Sequence, residues 1–419
     1  MSPPPLTYEA LAERLVRTGL VTDPWLAGAP RFRAEPLLVP RERQVALYRA
    51  AEQVAAVYHE LSLACAATPE VLDGFFCLTP WQKLMWNASQ PFWHGIARAD
   101  VFVTQDGGLA VCELNSDTPT GEVEAVLLNP LVQPGWPDTH DPNTELGARL
   151  CDMVATLAAR LLVPVPESLS VGLIYPTEMP EDLGLVQLYR QWFEARGWRV
   201  HLGSPFNLTS GPEGRVHLFG EPCDVLLRHY KTDWWSERLP VWDDEAPFED
   251  AAPLAGPLSA VLQACLEGRC VVVNPFGAVL TQNKRAMAFM WEHHERFSDR
   301  ARATIRAHVP YTVRLETQPI EALARDKDAW VLKSDYGAEG DEVVVGRHTK
   351  PEEWSAALVH AVPGRWVAQR YFAAEETAAG ETINHGVYVI AGEAAGLYTR
   401  VQRGATDTRA LSTPVLITP

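Results

Sequence analysis

The stretch Arg98-Ala-Asp-Val-Phe-Val-Thr-Gln-Asp106-Gly-Gly-Leu-Ala-Val-Cys-Glu113-Leu-Asn115 reads as a β-hairpin turning at Asp106-Gly107. Asp-Gly between two β-forming runs is a strong hairpin signal, and a two-residue turn fixes the register. Asp100 then faces Glu113, and Arg98 faces Asn115. A longer symmetric loop over Gln105–Gly108 gives the same pairs. Side chains alternate along a strand, so all four residues share one face. Facing Cβ atoms lie roughly 4.5–5.5 Å apart, close enough for two carboxylates to repel. A divalent cation would relieve that repulsion, and Arg98 is placed to meet anionic phosphate. The same residues are also compatible with a solvated acidic face that Arg98 neutralises. Asn115 leads into Ser116-Asp-Thr-Pro-Thr-Gly-Glu122, a polar, turn-rich loop of the kind that often carries function after a rigid strand.

The chain of 419 residues is long enough for two or three domains, and 47% hydrophobic with 21% charged residues is ordinary globular composition. There is no apolar run of transmembrane length. Met1-Ser-Pro-Pro-Pro-Leu6 lacks the pattern of a signal peptide. Seven scattered cysteines without Cys-x-x-Cys suggest reduced thiols and a cytoplasmic protein. A net charge of −17 argues against a nucleic-acid partner. It permits a cationic ligand such as a polyamine, although acidity for solubility alone also accounts for it.

Apolar spacing predicts helices over Tyr8–Arg17 and Arg41–Ala66, and Pro80 opens another short one. After the hairpin, Glu122–Leu128 and Glu145–Leu162 read as helical. A second unit starts after Pro166. Strand Leu169–Tyr175, helix Asp182–Arg196 and strands Trp198–Leu202 and Asp224–Arg228 predict a small parallel α/β domain. Its first turn lacks Gly-x-Gly-x-x-Gly, so a dinucleotide fold is unsupported. A third stretch begins near Pro253. It reads as helix Leu258–Glu267, strand Cys270–Val273, helix Asn283–His294, strands Trp330–Ser334 and Glu342–Gly346, helix Pro351–His360, strand Arg365–Arg370 and a hairpin of His385–Ala391 with Gly396–Val401.

Lys333 ends a strand before a loop holding Gly337 and Gly340. There an ammonium meets phosphate as a point charge and glycine lets backbone N–H groups approach. This is not a P-loop. Lys284 sits at a helix start, a position that favours anions. Gln369 lies on a strand with apolar neighbours suited to a purine wall. Arg400 is a further candidate for phosphate. Each of these residues, taken singly, also reads as surface or as ordinary buried strand. No metal motif forms among the histidines, and no Gly-x-Ser-x-Gly is present.

Together these segments resemble the glutathionylspermidine synthase family, in order from about Trp81 to Leu416. The family's Arg-x-Asp…Glu-x-Asn-x-Asp-Thr is similar to Arg98, Asp100, Glu113, Asn115, Asp117 and Thr118. Its Trp-x-Trp-Glu stretch resembles Lys231-Thr-Asp-Trp234-Trp235-Ser-Glu237, and its Asn-Lys helix start resembles Asn283-Lys284. The resemblance implies a mixed α/β ATP-grasp ligase with an inserted small parallel pre-ATP-grasp substrate domain and N-terminal helices. The division would be 1–165 for helices and hairpin, 166–250 for the substrate domain and 251–419 for the nucleotide-binding region. It implies ATP and Mg²⁺, with Mg²⁺ on Asp100, Glu113 and Asn115. Arg98, Lys333 and Arg400 would act in catalysis, and Lys284, Lys333, Gly337, Gly340, Gln369 and Arg400 would hold nucleotide. Ser116, Asp117, Thr118, Trp234, Trp235 and Glu237 would shape the pocket for small acid and amine substrates, a peptide, thiol or polyamine among them. The implied reaction is amide formation through an acyl phosphate, releasing ADP, with Asp335–Gly340 as a lid. Two departures stand out. Ala338 replaces a phosphate-contacting arginine, with Arg347 or Arg403 as nearby substitutes, and Ser334 replaces a proline. The length leaves no room for the N-terminal amidase of bifunctional members, so amidase activity is not expected.

Overall fold

The computed structural model describes residues 6–237, 252–337, 343–361, 365–404 and 409–419. It is a mixed α/β structure with three principal sheets. The hairpin forms one side of a five-stranded antiparallel sheet ordered Leu411–Thr413, Glu393–Gln402, Thr382–Ile390, Ile96–Val103, Leu109–Asn115. Strand Ile96–Val103 lies inside this sheet and is buried along its whole length.

The helix Arg41–Ala67 covers this sheet. Its buried residues Leu47, Ala51, Val54, Tyr58, Leu61 and Cys65 recur at alternating spacings of four and three, one stripe of a helical surface. They share a core with Ala97, Ala99, Val101 and Val111 of the hairpin. The helix also packs against Asp299–His308, which shares the same core through Ala301 and Ile305.

The second sheet is parallel and four-stranded, ordered Val271–Val273, Val225–Arg228, Ser170–Ile174, Arg199–Gly203. Helix Leu183–Ala195 makes the crossover, and Gly197, with φ +77°, ends it. The strand–helix–strand reading therefore holds. Strand Val271–Val273, which the sequence division sets beyond residue 250, joins this sheet. A small antiparallel sheet of Leu208–Ser210, Val216–Leu218 and Glu221–Cys223 stands beside it.

The third sheet is antiparallel, ordered Thr312–Arg314, Trp366–Arg370, Trp330–Ser334, Val343–Val345. One face packs on Trp354 and Leu358 of helix Pro351–Ala361. The other carries Lys333, Val367 and Gln369, with Lys333 paired to Val367 and Val331 to Gln369. Among the described residues, no helix is long and apolar enough to cross a membrane.

Candidate functional site

The hairpin pairs Asp100 with Glu113 and Arg98 with Asn115. The turn differs from the Asp-Gly expectation. Thr104 N–H donates to the Gly108 carbonyl at 3.0 Å, closing a three-residue loop, Gln105–Gly107, with Gly107 at φ +83°. That loop shifts the outer pairs by one, so Val101 faces Val111 and Val103 faces Leu109. A bulge at Cys112 then restores the register at Asp100–Glu113. The two departures cancel, which is why the simpler turn gave the correct pairs.

The bulge also has a use. Leu109–Asn115 is an edge strand, and Cys112 has no cross-strand partner. Its carbonyl accepts from Lys333 Nζ at 3.2 Å and Gln369 Nε2 at 3.5 Å, tying the hairpin sheet to the third sheet. Gln369 also donates to Thr312 Oγ1 at 3.1 Å.

A polar row crosses four strands on one face. Arg400 pairs with Asn384, and Asp100 lies between Gly386 and Glu113. Arg98 Nε donates to Asp100 Oδ1 at 2.8 Å, and Arg400 Nη2 donates to Oδ2 at 2.9 Å. Asn384 Nδ2 adds a bond to Oδ2 at 3.0 Å. Burial works to raise the Asp100 pKa, but the two guanidinium groups override it and hold it at about 2. Glycine is required at 386, because a Cβ there would stand 2.7 Å from Arg98 Cδ. The carboxylate repulsion expected from the sequence is thus relieved at Asp100 by two arginines. Glu113 accepts from Asn115 Nδ2 at 3.2 Å.

Lys284 faces this row from the N-cap position just before helix Arg285–Glu292. Its Nζ donates to the Gly337 carbonyl, and its backbone N–H to the Asp335 carbonyl at 2.8 Å. Burial lowers its pKa, the ammonium groups of Lys333 and Lys231 lower it further, and Glu113 opposes them. Among the described residues, neither Lys284 nor Lys333 forms an ion pair, although both are buried. Buried cations that lack a carboxylate and crowd one another form a setting that an anion would relieve.

The loop after the hairpin is tightly bound. Ser116 Oγ lies 2.8 Å from Thr281 Oγ1. Asp117 makes a fully buried ion pair with Arg228 at 2.5 Å and accepts from Thr232 N–H and Oγ1. Both Asp117 oxygens are therefore committed within the protein. Trp235 is buried edge-on against Phe276 and Tyr230. Trp234 is half-buried, with Lys231 Nζ 5.2 Å from its ring centre. Thr118 is half-buried too. Gly340, Ala338 and the Glu237 side chain lie outside the described residues. Arg347 stacks on Tyr371 at 4.6 Å, and Arg403 is exposed.

Sequence reasoning missed Asn384, Arg228 and Asn274. Asn274 Oδ1 accepts from Gly95 and Ile96 N–H, and its Nδ2 donates to the Ile96 and Asp117 carbonyls. Each is a polar residue in or next to an apolar strand, and that was the available signal.

A comparison with curated protein sequences finds no match. Among solved structures, the chain resembles a glutathione synthetase-like effector of Globodera pallida in its apo form. The TM-score is 0.59 at 10% identity, covering 97% of this chain and 95% of the other. A candidate gamma-glutamylcysteine synthetase of Methylobacillus flagellatus matches with TM-score 0.48 at 14% identity, covering 91% and 87%. The first likeness is one of fold. The family model for "Glutathionylspermidine synthase preATP-grasp" matches residues 77–418, which takes in the hairpin, the parallel sheet and all the cationic residues above, and the chain belongs to that family.

Proposed function

We propose that the chain is an ATP-dependent carboxylate–amine ligase that forms an amide through an acyl phosphate. The observation that carries the reading is the convergence of Lys284 and Lys333 on the face that holds Arg98, Asp100, Glu113 and Arg400. Four cations around two carboxylates, one of them already paired with two of the cations, suit a nucleotide's phosphates and the charge that develops during phosphoryl transfer. The five-stranded sheet and the third sheet would be the two walls of an ATP-grasp site, with Gln369 beside the base and Gly337 and Gly340 in the covering loop. The division 1–165, 166–250 and 251–419 would follow, with one strand of the third part lent to the parallel sheet.

In kind the donor set suits Mg²⁺, with Asp100 sharing its oxygens with Arg98, Arg400 and Asn384. Among the described residues, no three His, Cys, Asp or Glu side chains gather as a metal cage. Mg²⁺ carried in with phosphates takes only one or two protein carboxylates, and Asp100, Glu113 and Asn115 offer two carboxylates and an amide oxygen. Bound there, it would neutralise phosphate charge. Arg98 and Arg400 keep Asp100 ionised. Lys284 and Lys333 orient the phosphoryl group. The substrate carboxylate attacks that group, ADP leaves, and the amine displaces phosphate. Catalysis is then mostly positioning. Ser116, Thr118, Trp234 and Glu237 would border the acid and amine.

The test is ATP consumption with mixed amino acids, thiols, peptides and polyamines, with nucleotide products separated. ADP and phosphate with a new amide are expected. AMP release would remove the acyl-phosphate route. Ala338, where the family carries an arginine, favours a second reading, a nucleotide-binding protein without turnover. ATP binding with no consumption on any acid–amine pair would select it. A ligase for another peptide or amino acid on the same scaffold would show itself in the same screen.

A further inference from the structure

A cavity of about 570 Å³ opens between the hairpin loop, the end of helix Asp299–His308 and the chain leaving strand Trp366–Arg370. That volume suits a small organic molecule. Its walls include Trp291, Tyr311, Tyr371 and Phe372, with the Trp291 and Tyr311 rings edge to face at 5.4 Å. Arg306 and Arg370 also line it.

Arg306 Nη1 reaches His294 Nε2 at 3.4 Å, and the Arg370 guanidinium lies 4.0 Å over the Trp330 ring. Among the described residues neither forms an ion pair, whereas Arg98, Arg228 and Arg314 each do. The acidic residue in the lining, Asp106, accepts from the Thr104 hydroxyl and the Gly108 N–H within its own loop. Permanent positive charge therefore stands beside flat apolar walls. A guanidinium binds carboxylate through a planar fork, and aromatic walls take up a flat ring.

The cavity is separate from the face described above. Asp100, Glu113, Lys284, Lys333 and Gln369 do not line it. Successive strand residues point to opposite faces, so Gln369 and Arg370 serve different sides of the same strand.

We propose that this cavity binds a small organic anion with a flat aromatic body, its carboxylate held by Arg306 and Arg370 and its ring set against Trp291 and Tyr311. The test uses indole-3-carboxylate as probe, with indole-3-carboxamide and inorganic phosphate as controls, followed by calorimetry and saturation-transfer NMR. The carboxylate should bind, and both controls should bind at least about tenfold more weakly. The double variant Arg306→Gln/Arg370→Gln should weaken the carboxylate by about tenfold or more. Both side chains are exposed, so the variant should melt as the parent does. ADP at saturation should leave the probe bound. The proposal is overturned if the probe does not bind, if the carboxamide or phosphate binds as tightly, if the double variant binds unchanged, or if ADP displaces the probe competitively.

Discussion

Asp100 holds two guanidinium groups, and this sets what its removal should do. From the sequence, Asp100→Asn and Glu113→Gln look equivalent, each easing a like-charge repulsion and leaving the fold intact. The ion pairs separate them. Arg98 is 6% exposed, and the Asp100→Asn substitution would leave it buried without its counter-charge. Breaking such a pair costs about 3 kcal/mol or more. Asp100→Asn should therefore lose stability as well as ATP turnover, whereas Glu113→Gln should lose turnover with its denaturation midpoint nearly unchanged. Equal stability of the two variants in urea titrations would contradict this. The pH dependence follows with a definite sign. The Asp100 pKa is about 2 in the folded chain, against 3.8 for the free group. Its stabilisation is complete above pH ~4 and is lost as pH falls from 4 towards 2, on the order of 2 kcal/mol. In Asp100→Asn that acid limb should flatten, which unfolding curves between pH 5 and 2.5 can read.

Helix Glu122–Val132 begins with an acidic residue that gains little from its position. A carboxylate in a first turn is normally favoured by the helix dipole. Glu122 is instead fully buried, with Oε1 accepting from Tyr189 O–H at 3.0 Å, and burial pushes its pKa up to about 7. A raised carboxyl pKa acts oppositely to that of Asp100. Stability is present below the unfolded pKa of 4.5 and declines as pH rises from there to 7. Glu122→Gln should remove this decline, gaining on the order of 2–3 kcal/mol at pH 8 and little at pH 4.5. Paired denaturation curves at the two pH values decide it, and a gain independent of pH would refute the titration of Glu122. Elements with strong local signals were readable in advance. Tyr8–Arg17 follows its N-cap Thr7, and Pro80–Ser89 its Thr79–Gln82 capping box. Elements defined by distant partners were not. Leu208–Ser210, Val216–Leu218 and Glu221–Cys223 have three residues each, too few to show a period. Leu37–Pro40 is a strand because it pairs in parallel with Val415–Thr418 from the far end of the chain. Asp299–His308 carries charge on most of its surface, and its apolar signal is weak.

At the scale of the whole molecule, the candidate site lies between two sheets whose strands come from both ends of the chain. The hairpin sits beside Thr382–Ile390, so Asp100 meets Arg400 only after the chain has closed. The sequence marks Arg400 and Asp100 as candidates but carries no sign that they bond each other, since nothing local links them. The two sheets meet at the Cys112 carbonyl, through Lys333 and Gln369, while Lys284 holds the Gly337 carbonyl. Among the described residues these polar ties involve the two lysines themselves, and the hairpin is further bonded to Ala373 and Glu375 just beyond the third sheet. A nucleotide bound between the two sheets would add contacts to both at once and would stabilise the folded chain by mass action. At 100 times its Kd the gain is about 2.7 kcal/mol. ADP with Mg²⁺ should therefore raise the Tm of the parent. Lys333→Ala should abolish most of that rise. In the absence of nucleotide the same variant should be no less stable than the parent, because it removes a buried cation that has no carboxylate partner among the described residues and crowds Lys284. Melting curves with and without Mg·ADP separate the two effects. A variant that loses stability without nucleotide yet keeps the full ligand shift would place Lys333 in the framework and remove it from the phosphate site.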